Sequence, residues 1–140
     1  MSKLECVYCG SFGDTMDLFV PWTYMHPGRR KRSLRQTPRK NLVPACRECN
    51  NIAGNKVFER LEDKREYIQG RLSIKYKRII DLPHWSEKEL NGLGYGIRAG
   101  LKIKLLARKW VMNRINYPYI TFDITTTEES LQEIMLILTK

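Results

Sequence analysis

Two tight pairs, Cys6-Val-Tyr-Cys9 and Cys46-Arg-Glu-Cys49, contain all 4 cysteines of the chain. A Cys-x-x-Cys turn presents two thiolates from one bend, and two such turns complete a four-sulfur tetrahedron that suits zinc. Residues 10–45 then form a loop closed at its base by the metal. The competing chemistry is a pair of disulfides, which belongs to oxidising compartments. The opening Met1-Ser2-Lys3-Leu4-Glu5 has no apolar signal-peptide core, and Cys6 follows too soon for one. No apolar run approaches the ~20 residues of a membrane span. The expectation is a cytoplasmic protein with no membrane partner, whose cysteines are structural zinc ligands.

Charge directs attention to the loop between the pairs. The chain has 140 residues and a formal net charge of +10, which suits one small domain with a modest core. From Leu18 to Arg47 there is no Asp or Glu, while Arg29, Arg30, Lys31, Arg32, Arg35, Arg39, Lys40 and Arg47 are all basic. A second acid-free stretch, Leu90 to Phe122, carries Arg98, Lys102, Lys104, Arg108, Lys109 and Arg114. Cations clustered beside a zinc module are the footprint of phosphate-backbone binding, and a solvated basic face is the plainer alternative. The best candidates for phosphate contact are Arg29, Arg30, Lys31, Arg32 and Arg35, with Arg39 and Lys40 completing the set. Trp22 and Tyr24 offer rings for base stacking, although Trp22 also suits packing beneath the loop.

These residues need elements to position them. Met16 to Trp22 reads as a short β-like run ended by Pro21, and Asn41 to Ala45 as a returning strand. Between them, Pro27, Gly28 and Pro38 interrupt the basic residues, so 27–40 reads as a long surface loop. After Cys49 the spacing of Val57, Phe58, Leu61, Ile68 and Leu72 predicts a helix, with Gly54 and Gly70 as points of interruption. Pro83 breaks the chain, and Ser86-Glu-Lys-Glu89 is a capping box that opens another helix. A further helix is expected from about Ile97 to Asn113 with Leu101, Leu105 and Trp110 inward. Tyr119 to Ile124 alternates as a strand, and Thr126-Thr-Glu-Glu129 caps a last helix whose apolar side is Leu131, Ile134, Met135 and Leu138. That side suits core packing, with docking to a partner as the alternative. His84, between Pro83 and Trp85, reads as a packing or solvent-facing residue.

The order knuckle, strand, loop, strand, knuckle, helix resembles the zinc-stapled HNH (ββα-metal) endonucleases, especially the small bacterial and phage type. The matching text is Cys6-Val-Tyr-Cys9-Gly10, Asp17-Leu-Phe-Val-Pro21-Trp22, and Asn41-Leu-Val-Pro-Ala-Cys46-Arg-Glu-Cys49-Asn50. The resemblance implies an α+β fold: a zinc-stapled ββα core over 1–60, with the basic loop at 27–40, followed by a mostly helical extension over 61–140. It also implies a bacterial or phage-infected cell as the setting.

In that family a strand ends in Asp-His. The histidine activates water near neutral pH, and the carboxylate helps hold a magnesium or manganese ion against the phosphate. Carried over position by position, the resemblance puts Asp17 at the metal carboxylate, Asn41 at the bracing asparagine and Asn50 at the helix-side ligand. A slipped register would use Asp14 in place of Asp17, against the Val20-Pro21 match. The position of the base is Leu18, which cannot accept a proton. General-base help is worth ~10²–10⁴-fold in rate. His26 is the one loop histidine that could substitute. The expectation is therefore a protein that binds nucleic acid, DNA first, or a nucleoprotein machine, without cutting. The alternatives are an endonuclease with His26 as a displaced base, and a phage-type interaction protein built on the same scaffold.

Overall fold

Antiparallel pairing of β1 (Thr15–Leu18) with β2 (Leu42–Ala45) joins the two ends of the long loop. The register sets Thr15 opposite Ala45, Met16 opposite Pro44, Asp17 opposite Val43 and Leu18 opposite Leu42. Both strands are edges of a two-stranded sheet, so Pro44, which lacks a backbone donor, is tolerated in β2. The structure is a computed structural model and describes residues 4–22, 41–118 and 132. Five helices follow the sheet within these residues: α1 (Arg47–Ala53), α2 (Leu61–Lys75), α3 (Lys77–Ile80), α4 (Glu87–Asn91) and α5 (Tyr95–Ile115). The architecture is mixed α and β. The expected basic loop, the strand at 119–124 and all of the last helix except Gln132 fall outside the described residues, as do Tyr24 and His26.

The local signals explain most of these elements. β1 starts one residue earlier than the expected run and stops at Leu18. Beyond it Asn41 takes over the pairing: its backbone oxygen accepts from Phe19 N at 2.9 Å. Its side-chain oxygen accepts from Val20 N at 2.8 Å, and its amide donates to Val20 O at 3.1 Å. Phe19 and Val20 thus leave the strand yet stay buried. α1 ends at Gly54, which takes φ 53 as its cap. Gly70 does not interrupt α2, which runs unbroken from Leu61 to Lys75. The Ser86–Glu89 capping box is present as expected and opens α4.

One buried cluster holds the parts together. It contains the four cysteines, Val7, Tyr8, Phe19, Val20, Val43 and Ala45, and from α2 Leu61, Ile68 and Leu72. The same cluster therefore runs across residue 60, and α2 is part of the packing around the knuckles. α5 differs from expectation at its C-terminal end. Val111 and Arg114 are its buried residues, Leu101 and Leu105 are half-buried, and Trp110 is 50 % exposed. Leu101 and Leu105 thus turn partly inward as expected, while at the end of the helix Arg114 takes the buried place and Trp110 lies over it at the surface.

The end of α5 also closes the first knuckle. Gly10 accepts a left-handed turn at φ 77, and its amide donates to Cys6 O at 2.9 Å. The Tyr117 ring lies directly over it: a Cβ at residue 10 would come within 2.5 Å of two ring carbons. The ring is held there by its hydroxyl, which donates to Glu5 at 2.7 Å. Gly10→Ala is expected to lower stability by at least ~1–2 kcal/mol from the left-handed backbone alone, before the ring is displaced. Gly70→Ala meets no atom within 4 Å and is expected to raise stability by ~0.5–1 kcal/mol. Denaturant midpoints of the two variants check both signs.

Candidate metal centre

The cysteine spacing delivers what the turns require. In the first knuckle, Cys6 N donates to Ser11 O at 2.7 Å, and the bend is tied to β2 by Val7 N donating to Pro44 O at 3.1 Å. In the second, Cys46 is the N-cap of α1, and its sulfur accepts from Cys49 N at 3.4 Å. The Cys46 thiol is lowered to about 7, chiefly by a side-chain hydrogen bond with the Cys49 sulfur, and the backbone bond from Cys49 N adds to the same shift. All four sulfurs lie within 4.8 Å of one another.

The cluster is not a pair of disulfides. All four cysteines are free, and the Cys9 and Cys46 sulfurs stand 3.7 Å apart. Tetrahedral sulfur at ~2.3 Å from zinc would have edges of about 3.8 Å. The donor set thus fits a metal ion of zinc's size and coordination. Cys6, Cys9 and Cys49 are buried and Cys46 is nearly so, which leaves little room for an outside ligand.

A third helix reaches this cluster. Arg114, on α5, donates from Nη2 to the sulfurs of Cys46 at 3.7 Å and Cys49 at 3.9 Å. Its Nη1 pairs with Glu48 at 2.6 Å. Glu48 also takes Lys75 Nζ at 2.5 Å and the Tyr76 hydroxyl at 2.5 Å. Burial alone would raise the Glu48 pKa, but Lys75, Tyr76 and Arg114 together bring it below the usual value. Trp110 covers the guanidinium, with 4.5 Å between its ring centre and Cζ.

Of the other candidate residues, Asp17 on β1 meets an unexpected cation. Asp17 is buried, and its Oδ2 pairs with Lys64 Nζ at 2.8 Å and accepts from the Tyr8 hydroxyl at 2.5 Å. Lys64 is 0 % exposed, and its ammonium also donates to the backbone oxygens of Leu18 at 3.0 Å and Phe19 at 3.4 Å. Burial lowers the Lys64 pKa, and the Asp17 carboxylate opposes that shift. Burial first, then the Asp17 charge, holds the Tyr8 phenol well above its ordinary value and so protonated. Lys64 already supplies the positive charge at this carboxylate. A divalent cation on the same oxygen would face a buried ammonium, so these donors do not fit magnesium or manganese.

Asn50, on α1, makes a different contact: its amide donates to Thr15 Oγ1 at 3.3 Å. Leu18 is half-buried and meets Lys64 through its carbonyl, not its side chain. Asn41 braces the loop entrance through the backbone of Val20. His26 and Arg29, Arg30, Lys31, Arg32, Arg35, Arg39 and Lys40 lie outside the described residues. His84 is exposed.

Sequence reasoning missed Tyr8, Glu48 and Lys64, and it counted Arg114 among the cations of a phosphate-binding stretch, whereas the structure buries it against Glu48 and the cysteine sulfurs. Lys64 left a readable signal, because it occupies the apolar phase of α2 between Leu61 and Ile68. Arg114 left none beyond its place three residues after Val111. Comparison of the chain with family models, with curated proteins and with solved structures yields no match. Within the described residues no helix is long and apolar enough to cross a membrane.

Two outcomes follow from this geometry. Protein purified under reducing conditions is expected to hold about one metal ion per chain, and chelation is expected to unfold the core, because ligand placement and folding are coupled. Elemental analysis with circular dichroism before and after chelator checks this, and Cys49→Ser should reproduce the chelated state. The second concerns the Asp17–Lys64 pair. Asp17→Ala or Lys64→Ala alone strands a buried charge and is expected to cost about 3–5 kcal/mol, whereas Asp17→Leu with Lys64→Met is expected to cost far less than the two single losses together. Unfolding free energies in a double-mutant cycle measure the difference.

Proposed function

We propose that this chain is a zinc-stapled, HNH-like protein that binds nucleic acid, DNA in the first instance, without cleaving it. The observation that carries the reading is the environment of Asp17. The carboxylate that the resemblance assigns to a catalytic cation is buried against the Lys64 ammonium and the Tyr8 hydroxyl. The neighbouring position that should hold a base is Leu18. A loss of the base and a replacement of the cation by an ammonium belong together, since either alone would leave a half-built site.

Binding rests on charge. The chain carries +10 overall, with the densest run of arginines and lysines in the loop between the cysteine pairs. In the described residues α5 adds Lys102, Lys104 and Lys109 on its exposed surface and contains no acidic residue. Such cations neutralise phosphates and release counterions. Zinc suits the four-thiolate donor set better than magnesium or calcium, which prefer oxygen, and its role in this reading is to fix the base of the loop.

The test combines binding with cleavage. Duplex DNA affinity is expected to fall steeply with salt. Arg29→Gln with Arg30→Gln, Lys31→Gln and Arg32→Gln is expected to flatten the log–log slope by roughly 0.9 for each phosphate that is no longer neutralised. Plasmid incubated with the wild-type protein and magnesium or manganese is expected to stay intact. Nicking by the wild type, abolished in His26→Ala, would replace this reading with an active endonuclease. A salt-independent affinity would replace it with a protein interface. Asp17→Ala is a poor control here, because it leaves Lys64 buried and unpaired.

A further inference from the structure

A divalent ion bound by four thiolates is a doubly negative centre, and burying it requires a counter-charge. This chain's four cysteines are buried among apolar side chains. Within the described residues, the cation that reaches their sulfur atoms is Arg114, itself buried, with Nη2 at 3.7 and 3.9 Å from Cys46 and Cys49. We infer that Arg114 is the counter-charge of the metal centre: a positioning residue, supplied from the distant helix α5, that sets the electron density on the Cys46 and Cys49 thiolates and the hold on the ion. This role rests on the metal reading given above and concerns no step of nucleic-acid chemistry.

The surroundings of Arg114 are arranged for that task. Glu48 sits between the two ligands of the second knuckle and holds the guanidinium by Nη1 at 2.6 Å, leaving Nη2 aimed at sulfur. Left alone, that carboxylate would cancel the guanidinium's charge. Lys75 and Tyr76 converge on its other oxygen at 2.5 Å each, so the arginine's charge remains available to the thiolates. Trp110 lies over the face of the guanidinium at 4.5 Å and edge-on to Tyr76 at 6.2 Å, which shields the contact from water and fixes the plane of the fork. A structural tie alone would need only the Glu48 pair. Nη2 reaches both sulfurs while Nη1 holds Glu48, a division between two nitrogens that the single nitrogen of a lysine at residue 114 could not reproduce.

Hydrogen bonds from a cation stabilise the sulfur lone pairs. Removing them should weaken the centre and move thiolate-to-metal charge transfer to lower energy. The experiment uses the full chain loaded with zinc for affinity and with cobalt(II) for spectroscopy. Arg114→Leu is expected to lower zinc affinity about 10–100-fold in chelator competition and to shift the thiolate-to-cobalt band to the red. Arg114→Lys should recover part of the affinity and little of the spectrum. Tyr76→Phe loosens the same junction without touching sulfur and should shift the band far less than Arg114→Leu; an equal shift there would assign the effect to packing and overturn the role. Where Arg114→Leu does not fold, Arg114→Gln and Arg114→Lys decide the matter, since equal affinity in the two removes charge as the cause. Wild-type protein that binds neither ion overturns the metal reading and this role with it. Wild-type protein that binds both, matched by Arg114→Leu in affinity and spectrum, leaves the metal reading standing and overturns the role of Arg114 alone.

Discussion

Four sulfurs carried on two turns, one at each end of a long loop, must meet within the reach of a single ion. Most of the remaining structure serves that convergence. The two-stranded sheet sets the distance between the turns, with Thr15 opposite Ala45 immediately before Cys46. Val7 N bonding to Pro44 O ties the first turn to the second strand. α1 begins at Cys46 so that its first turn returns Cys49 to the same point. Closure of a long loop is entropically costly, and each of these contacts reduces the freedom that a metal would otherwise have to remove by itself.

Around that centre the core accepts two buried cations, each from a different helix. Lys64 of α2 enters beneath β1 and answers Asp17. Arg114 of α5 enters beside α1 and answers the thiolates and Glu48. Neither charge is tolerable without its partner, because desolvation of a lone ammonium or guanidinium costs several kcal/mol. The two pairs therefore act as registration pins. α2 can dock only where Lys64 meets Asp17 and the carbonyls of Leu18 and Phe19, and α5 only where Arg114 reaches sulfur. Tyr117 adds a third fixed point by lying over the one turn whose glycine leaves room for its ring.

The same pins bear on the proposed function. A ββα-metal enzyme needs an exposed carboxylate, a neutral base and space for a hydrated cation. Here the Asp17 carboxylate is sealed by the Tyr8 phenol and the Lys64 ammonium, residue 18 beside it is leucine, and the ammonium also bonds to the backbone oxygen of Leu18. Beside it stand the four-cysteine cluster and the exposed lysines of α5, the two features on which the proposed binding to a phosphate backbone rests.

Several parts of this molecule were legible in the residues alone. The four cysteines declared their shared site through spacing, since two Cys-x-x-Cys turns offer a metal four thiolates at once. The helix α4 was announced by Ser86 and Glu89, whose capping box is a local interaction. The strands leading to each knuckle were visible to within a few residues, as was the span of α5. These features depend on neighbours a few residues apart. The partners of the buried charges did not, and only tertiary structure decided them. Lys64 and Asp17 are far apart in the chain, as are Arg114 and Cys46, and no local rule tells which lysine will be buried or which face of a basic helix will turn inward. The choice was made by docking, where an unpaired charge in the core is too costly to survive and only one placement pairs both.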